Sequence, residues 1–183
     1  MRRLPVVLAV FLLAVSARAA VVDASANGLA IKHVMTVNAS AEKAWKSLID
    51  VGRWWGSDHT YSGSAANLRI ETRPGGCWCE TLPNGGFVQH MAVVFVQPNQ
   101  KLVLTGGLGP LQTTGASGAM TFAIASKDAE HSEITFTYNI GGYFPGGLGP
   151  IGAGVDHVLV EQLERLERLI NTGSAEMVKP VTR

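Results

Sequence analysis

Between Leu68 and Ile140 the apolar residues return at every second position; from about Pro150 to Asn171 they return at helical spacing. This change of period constrains the fold more than any motif, because a strand turns alternate side chains to opposite faces while a helix lines them along one stripe. Ile134, Phe136, Tyr138 and Ile140 alternate with Glu133, Thr135, Thr137 and Asn139, the mark of a strand with one wet face. Met120, Phe122 and Ile124 alternate in the same way within Gly118 to Ser126. In the closing segment, Val155, Val158, Leu159, Leu163, Leu166, Leu169 and Ile170 form the apolar stripe, opposite Glu161, Glu164, Arg165, Glu167 and Arg168. A run of strands closed by one long helix predicts an α+β domain with an antiparallel sheet. The helix is the element large enough to cover the concave face of that sheet.

The remaining elements are shorter. Ile31 to Val37 reads as a strand rich in β-branched residues. Ser40 is a good helix cap, Glu42 suits the first turn, and Ala41, Ala44, Trp45, Leu48 and Ile49 recur at helical spacing. Val51 to Trp55 suggests a second helical turn, and Gly56 to Ala66 a loop. Within the strand-rich region, strands are predicted at Leu68 to Thr72, Cys77 to Leu82, Phe87 to Gln97 and Leu102 to Thr105. Residues 20–28 read as a loose lead-in and residues 172–183 as a mobile tail.

The first 19 residues have the layout of a secretory signal: Arg2 and Arg3, an apolar run from Leu4 to Val15, then Ala17-Arg18-Ala19 as a cleavage site. Twelve apolar residues are short for a membrane span. The expected location is therefore periplasmic or secreted, with no stable membrane insertion after cleavage. Cleavage after Ala19 removes three arginines and no acid, taking the formal charge from +1 to −2. A near-neutral chain without a basic run has no electrostatic footprint for nucleic acid.

Several motifs resemble one superfamily. Val37-Asn38-Ala39-Ser40-Ala41-Glu42-Lys43-Ala44-Trp45 is similar to the first strand-to-helix junction of the START/polyketide-cyclase-like (SRPBCC, helix-grip) superfamily. Arg73-Pro74-Gly75-Gly76, the Val96-Gln97-Pro98-Asn99 turn and the closing helix resemble the same group, nearest to homologues of the heat-shock ATPase activator. The resemblance spans residues 30–171 and implies a curved antiparallel sheet gripping the C-terminal helix over a hydrophobic cavity, in a domain covering residues 28–171. It implies no single activity, since carriers, cyclases and co-chaperones share the fold. An export signal argues against work on a cytosolic ATPase.

The Asn84-Gly85 pair marks a hairpin turn. A two-residue or four-residue loop sets Cys79 opposite His90, Glu80 opposite Gln89 and Trp78 opposite Met91. One face of the hairpin then carries Trp78, Glu80, Leu82, Phe87, Gln89, Met91, Val93 and Phe95. It is the richer in large apolar groups and is assigned inward, beneath the long helix near Gln162. A carboxylate buried there is expected to have a raised pKa and to be able to carry a proton. Glu80 and Gln89 can equally do no more than satisfy each other. Glu80 is thus the candidate catalytic residue, and Trp54, Trp55, Trp78, Gln89, Met91, Phe136, Tyr138 and Gln162 are the candidate ligand-binding residues.

The other face carries Cys77, Cys79 and His90; turned inward, with His157 approaching, it would offer an incomplete set of soft-metal ligands. No metal is expected. Residues i and i+2 of a straight strand lie about 6.6 Å apart with parallel side chains, at the outer limit for a disulfide. Two free thiols are expected, with a bond only where a bulge bends the strand.

Gly106-Gly107-Leu108-Gly109-Pro110 and Gly146-Gly147-Leu148-Gly149-Pro150 share one pentapeptide. Neither is a phosphate or dinucleotide loop, and no cofactor is expected. They read either as plain turns or as lips of a cavity mouth. No serine-hydrolase elbow occurs. The functions these features fit are binding of a hydrophobic small molecule or lipid, a cyclase- or hydrolase-type activity using Glu80, and protein interaction through a sheet edge.

Overall fold

The computed structural model describes residues 21–177; the expected signal segment lies outside them. The strands are β1 (Val21–Ala24), β2 (Gly28–Val37), β3 (Leu68–Ile70), β4 (Cys77–Thr81), β5 (Phe87–Gln97), β6 (Lys101–Gly106), β7 (Gly115–Ser126) and β8 (Ser132–Tyr143). They form one antiparallel sheet in the order β1-β2-β8-β7-β6-β5-β4-β3. Helix α1 (Ala41–Ile49) follows β2, and helix α2 (Gly152–Thr172) closes the domain.

Alternation along the central strands builds the core. Ile134, Phe136, Tyr138 and Ile140 of β8 are buried, in register with Met35, His33, Ile31 and Leu29 of β2. On the other side β8 meets β7, with Phe136 opposite Phe122 and Tyr138 opposite Met120. Leu159, Gln162, Leu163, Leu166, Leu169 and Ile170 of α2 are buried against this face. Gly152 lets the helix start close to the sheet: a Cβ there would lie 2.9 Å from Leu29 Cδ1. Ser40 caps α1, its Oγ accepting from the Lys43 amide at 3.3 Å.

Four expectations require correction. Residues 21–24 are not a loose lead-in but an edge strand, paired with β2. The described part of the expected tail is tied down. Gly173 ends α2 in the left-handed conformation; Ala175 is buried, and its carbonyl accepts from Arg168 Nε at 2.9 Å. Residues 178–183 lie outside the described residues.

The third correction concerns hairpin register. Pro83 starts a helical turn and Asn84 and Gly85 both take positive φ, so the loop holds three residues, closed by the Leu82 amide donating to the Gly86 carbonyl at 2.8 Å. Thr81 pairs with Phe87, Glu80 with Val88 and Cys79 with Gln89; then one residue of β5, His90, is passed over, and Trp78 meets Met91. This bulge restores the expected register beyond it and turns His90 to the inner face. Trp78, Glu80, Met91 and Val93 are buried as expected, whereas Gln89 and Phe87 are exposed. A second irregularity, between Val93 and Phe95, leaves Phe95 exposed as well.

The fourth is the cysteines, which are bonded to each other. The straight-strand argument fails because the ladder is irregular at Trp78/Cys79, and the two Cα atoms are 5.4 Å apart, within disulfide range. Unfolded without reductant, the protein is expected to show no titratable thiol, and to show both cysteines after reduction. Cys79→Ser is expected to cost about 1–2 kcal/mol, the loop-closure value for so short a ring. Two thiols in the unreduced protein would contradict the bond.

Candidate functional site

Between α2, the inner face of the sheet and two loops lies a cavity of about 680 Å³. Val155, Val158 and Leu159 of α2 form one wall, which follows from the apolar stripe of that helix. Trp55, Trp78 and Tyr138 face them from the body of the domain. Leu108 and Leu111, after β6, and Phe144, after β8, add further apolar surface. Asp58, His59, Thr60 and Tyr61 stand at one end, on the loop after α1.

The aromatic side of the cavity is a packed cluster. Trp78 meets Trp55 edge-on at 4.8 Å between ring centroids, and Trp54 at 6.2 Å. Trp54 Nε1 donates to the Leu48 carbonyl at 3.0 Å and Trp55 Nε1 to the His59 carbonyl at 2.8 Å. Trp78 Nε1 is buried and has no hydrogen-bond partner. Tyr138 donates to the Gly106 carbonyl at 3.1 Å, and burial pushes its phenol up to about 12.

Behind the wall sits Glu80, fully buried. Its carboxylate accepts from the Tyr61 amide at 3.1 Å, from the Ser62 amide, and from His90 Nε2 at 2.9 Å. The expected rise in its pKa does not occur. Burial pushes it up, but the hydrogen bonds from Ser62, Tyr61 and His90 outweigh burial and hold it below the usual carboxylate range. His90 is depressed as well: burial lowers it, against a smaller opposing pull from Glu80. At neutral pH the pair is therefore a carboxylate and a neutral imidazole. An ionised carboxylate can only accept, so the imidazole proton sits on Nε2. Nδ1 is left as an acceptor with no partner among the described residues, on a ring that forms part of the cavity wall.

The same carboxylate organises one end of the cavity. By holding the Tyr61 and Ser62 amides, it pins the loop on which Tyr61 stacks over His90, with centroids 5.9 Å apart. The Tyr61 hydroxyl donates to the Gly109 carbonyl at 3.3 Å, joining this loop to the first glycine pentapeptide. The second pentapeptide is anchored instead: Leu148 is buried and its amide donates to the Ala26 carbonyl at 2.9 Å.

The predicted site residues thus separate. Trp55, Trp78 and Tyr138 line the cavity. Trp54, Met91 and Phe136 are core residues outside its lining, Phe136 packing on Phe122 at 5.0 Å. Gln162 is buried, its Oε1 accepting from the Gly56 amide at 2.6 Å, but it does not line the cavity. Gln89 is on the outer face, away from Glu80, because of the register shift. Cys77, Cys79 and His90 do not converge: the cysteines are bonded together and His90 faces the other way, while His157 is exposed. Sequence reasoning placed His90 on the outer face with the cysteines, where the bulge turns it inward instead, and it missed Tyr61. The Pro83 before Asn-Gly is the signal for an odd-length loop, which calls for a compensating bulge.

Both depressed groups make acid unfavourable. The unfolded chain binds a proton at His90 below its ordinary value of 6.5 while the folded chain does not. Stability is therefore present above that pH and falls as the pH drops through the depressed native value. Glu80 acts in the same direction, below its ordinary 4.5. Urea unfolding is expected to show stability declining from pH 7 to pH 4, with His90→Gln flattening the upper part of the decline. An unchanged slope in that variant would mean that His90 does not contribute.

No family model matches the chain, and no curated protein matches it. Solved structures do match its fold. A conserved protein of unknown function from Enterococcus faecalis has a TM-score of 0.57 and 14% identity, over 85% of this chain and 80% of that one. The self-sacrificing resistance protein CalC from Micromonospora echinospora has 0.54 and 16%, over 81% and 97%. CalU16 from Micromonospora echinospora has 0.53 and 11%, over 84% and 78%. At these identities the likeness is one of fold: the chain is an α+β protein with the helix-grip architecture.

Proposed function

We propose that this chain is an exported helix-grip protein that binds a hydrophobic small molecule in the cavity beneath α2. The observation that carries the reading is the cavity itself: about 680 Å³, within the range of small-molecule sites, and walled chiefly by aliphatic and aromatic side chains. A void of this size is a poor way to stabilise a core, since unfilled apolar volume forfeits packing energy. Export rests on the Arg2-Arg3, Leu4–Val15 and Ala17-Arg18-Ala19 segment. Closer kinship with homologues of the heat-shock ATPase activator rests on the motifs of residues 37–45, 73–76 and 96–99.

Native mass spectrometry of the protein purified from its own source tests both parts. The expected mass corresponds to a chain beginning at Ala20, within a residue or two, with a bound apolar compound released on activation. A chain retaining Met1 would refute export. A protein that is empty from its source and fails to take up any hydrophobic probe would refute the binding reading.

The Glu80–His90 pair favours a second reading, an acid–base enzyme acting in the same cavity. In that case His90 is the group that exchanges a proton with substrate, because Glu80 is ionised and already engaged, and Glu80 orients the imidazole. Turnover of a bound compound, lost in His90→Gln with binding retained, distinguishes this reading from simple binding.

A further inference from the structure

The cavity wall is uneven in charge and in hydrogen bonding, and both point to one class of ligand. Among the described residues no lysine or arginine lines the cavity. The acids at hand are Asp58, in the wall, and Glu80, directly behind His90. His90 is neutral for the reasons given above and supplies no compensating cation. An anionic head group entering here would leave water for a region that already holds negative charge, and the other imidazole of the described wall, His59, already faces the Glu161 carboxylate at 3.7 Å.

Two polar atoms on residues that line the cavity lack partners among the described residues, and they differ in kind. Trp78 Nε1 is a buried donor without an acceptor. His90 Nδ1 is an acceptor without a donor, since Nε2 is committed to Glu80. The two rings are neighbours, their centroids 6.2 Å apart. One oxygen can lie about 3 Å from each of two nitrogens that are up to about 6 Å apart. A hydroxyl is the smallest group that satisfies both, accepting from one nitrogen and donating to the other. A carbonyl or ether serves only Trp78; an ammonium serves only His90.

Taking the cavity as a ligand site, as proposed above, we infer that it selects a neutral, largely apolar molecule carrying a hydroxyl, read jointly by Trp78 Nε1 and His90 Nδ1, and that it rejects carboxylates such as fatty acids. Tyr61, stacked on His90, closes over this hydroxyl site, and the aliphatic wall of α2 takes the ligand body.

A fluorescent series of one body and four head groups tests this on the mature protein at pH 7: pyrene, 1-hydroxypyrene, 1-methoxypyrene and 1-pyrenecarboxylate. Hydroxypyrene is expected to bind about tenfold more tightly than methoxypyrene, the worth of one to two hydrogen bonds in a dry site. Pyrenecarboxylate is expected to be the weakest of the four. Trp78→Phe keeps an aromatic wall and loses the donor; it is expected to weaken hydroxypyrene and methoxypyrene alike and to leave pyrene little changed. His90→Gln, whose amide can still donate to Glu80, is expected to reduce the advantage of hydroxypyrene over methoxypyrene. Equal binding of all four, or tightest binding of the carboxylate, would overturn the hydroxyl reading while leaving the cavity a binding site. If hydroxypyrene kept its full advantage over pyrene in Trp78→Phe, or over methoxypyrene in His90→Gln, this assignment of Trp78 and His90 would be wrong. Failure of all four compounds, pyrene included, would refute the binding reading itself and this inference with it.

Discussion

Replacing Trp78 by alanine is expected to destabilise the protein by about 3–5 kcal/mol, the range for an aromatic removed from a packed interior. Trp78 is 1% exposed and touches three aromatic rings: Trp55 at 4.8 Å, Trp54 and His90 each at 6.2 Å. Its loss therefore enlarges the cavity and loosens the wall that carries His90. Urea unfolding measures the cost, and uptake of pyrene measures the damage to the cavity. Gln89→Ala provides the contrast two positions from the bulge-shifted Met91. That side chain is exposed on the outer face, and its truncation is expected to change stability by less than about 0.5 kcal/mol. A mild Trp78→Ala with a severe Gln89→Ala would mean that the two faces of the hairpin are reversed.

Glu80→Ala is expected to cost a similar amount, about 3–5 kcal/mol, for a different reason. The carboxylate satisfies three donors: the Tyr61 amide, the Ser62 amide and His90 Nε2. Deleting it strands all three, and a buried donor without a partner forfeits its full hydration. The loss is also local to the loop around Tyr61. Limited proteolysis within residues 57–64 should therefore accelerate before global unfolding does. Glu80→Gln preserves volume and one acceptor, so it should fall between wild type and alanine. If Glu80→Ala left both stability and loop cleavage unchanged, the carboxylate would not be what holds this end of the cavity.

These two residues also show the difference between what was legible in the chain and what was not. Alternation assigned Trp78 and Glu80 to the inner face, and both are buried there. The same alternation placed Gln89 beside Glu80, where His90 stands instead. The error has one source. A single unpaired residue in β5 reverses the facing of the strand on either side of it, and periodicity contains no information about where the unpaired residue falls. The pKa expectation failed for a related reason. Burial of Glu80 could be inferred from the pattern, but the amides of Tyr61 and Ser62 come from a loop about twenty residues earlier in the chain. Only the folded chain brings those donors to the carboxylate and reverses the sign of the shift.

The period of the apolar residues determined the strands, the long closing helix and the antiparallel α+β architecture, because each of those depends on the spacing of neighbours along the chain. Tertiary structure alone decided which side chains meet. It bonded Cys77 to Cys79 at a point where the ladder is irregular, and it turned His90 inward onto Glu80. It also set the first glycine pentapeptide under Tyr61 while burying the leucine of the second, though the two are identical in sequence. Local pattern carries the energy of burial, which is shared over many residues and tolerates a slip. A site depends on single contacts between distant segments, and one bulge or one loop length is enough to redirect them.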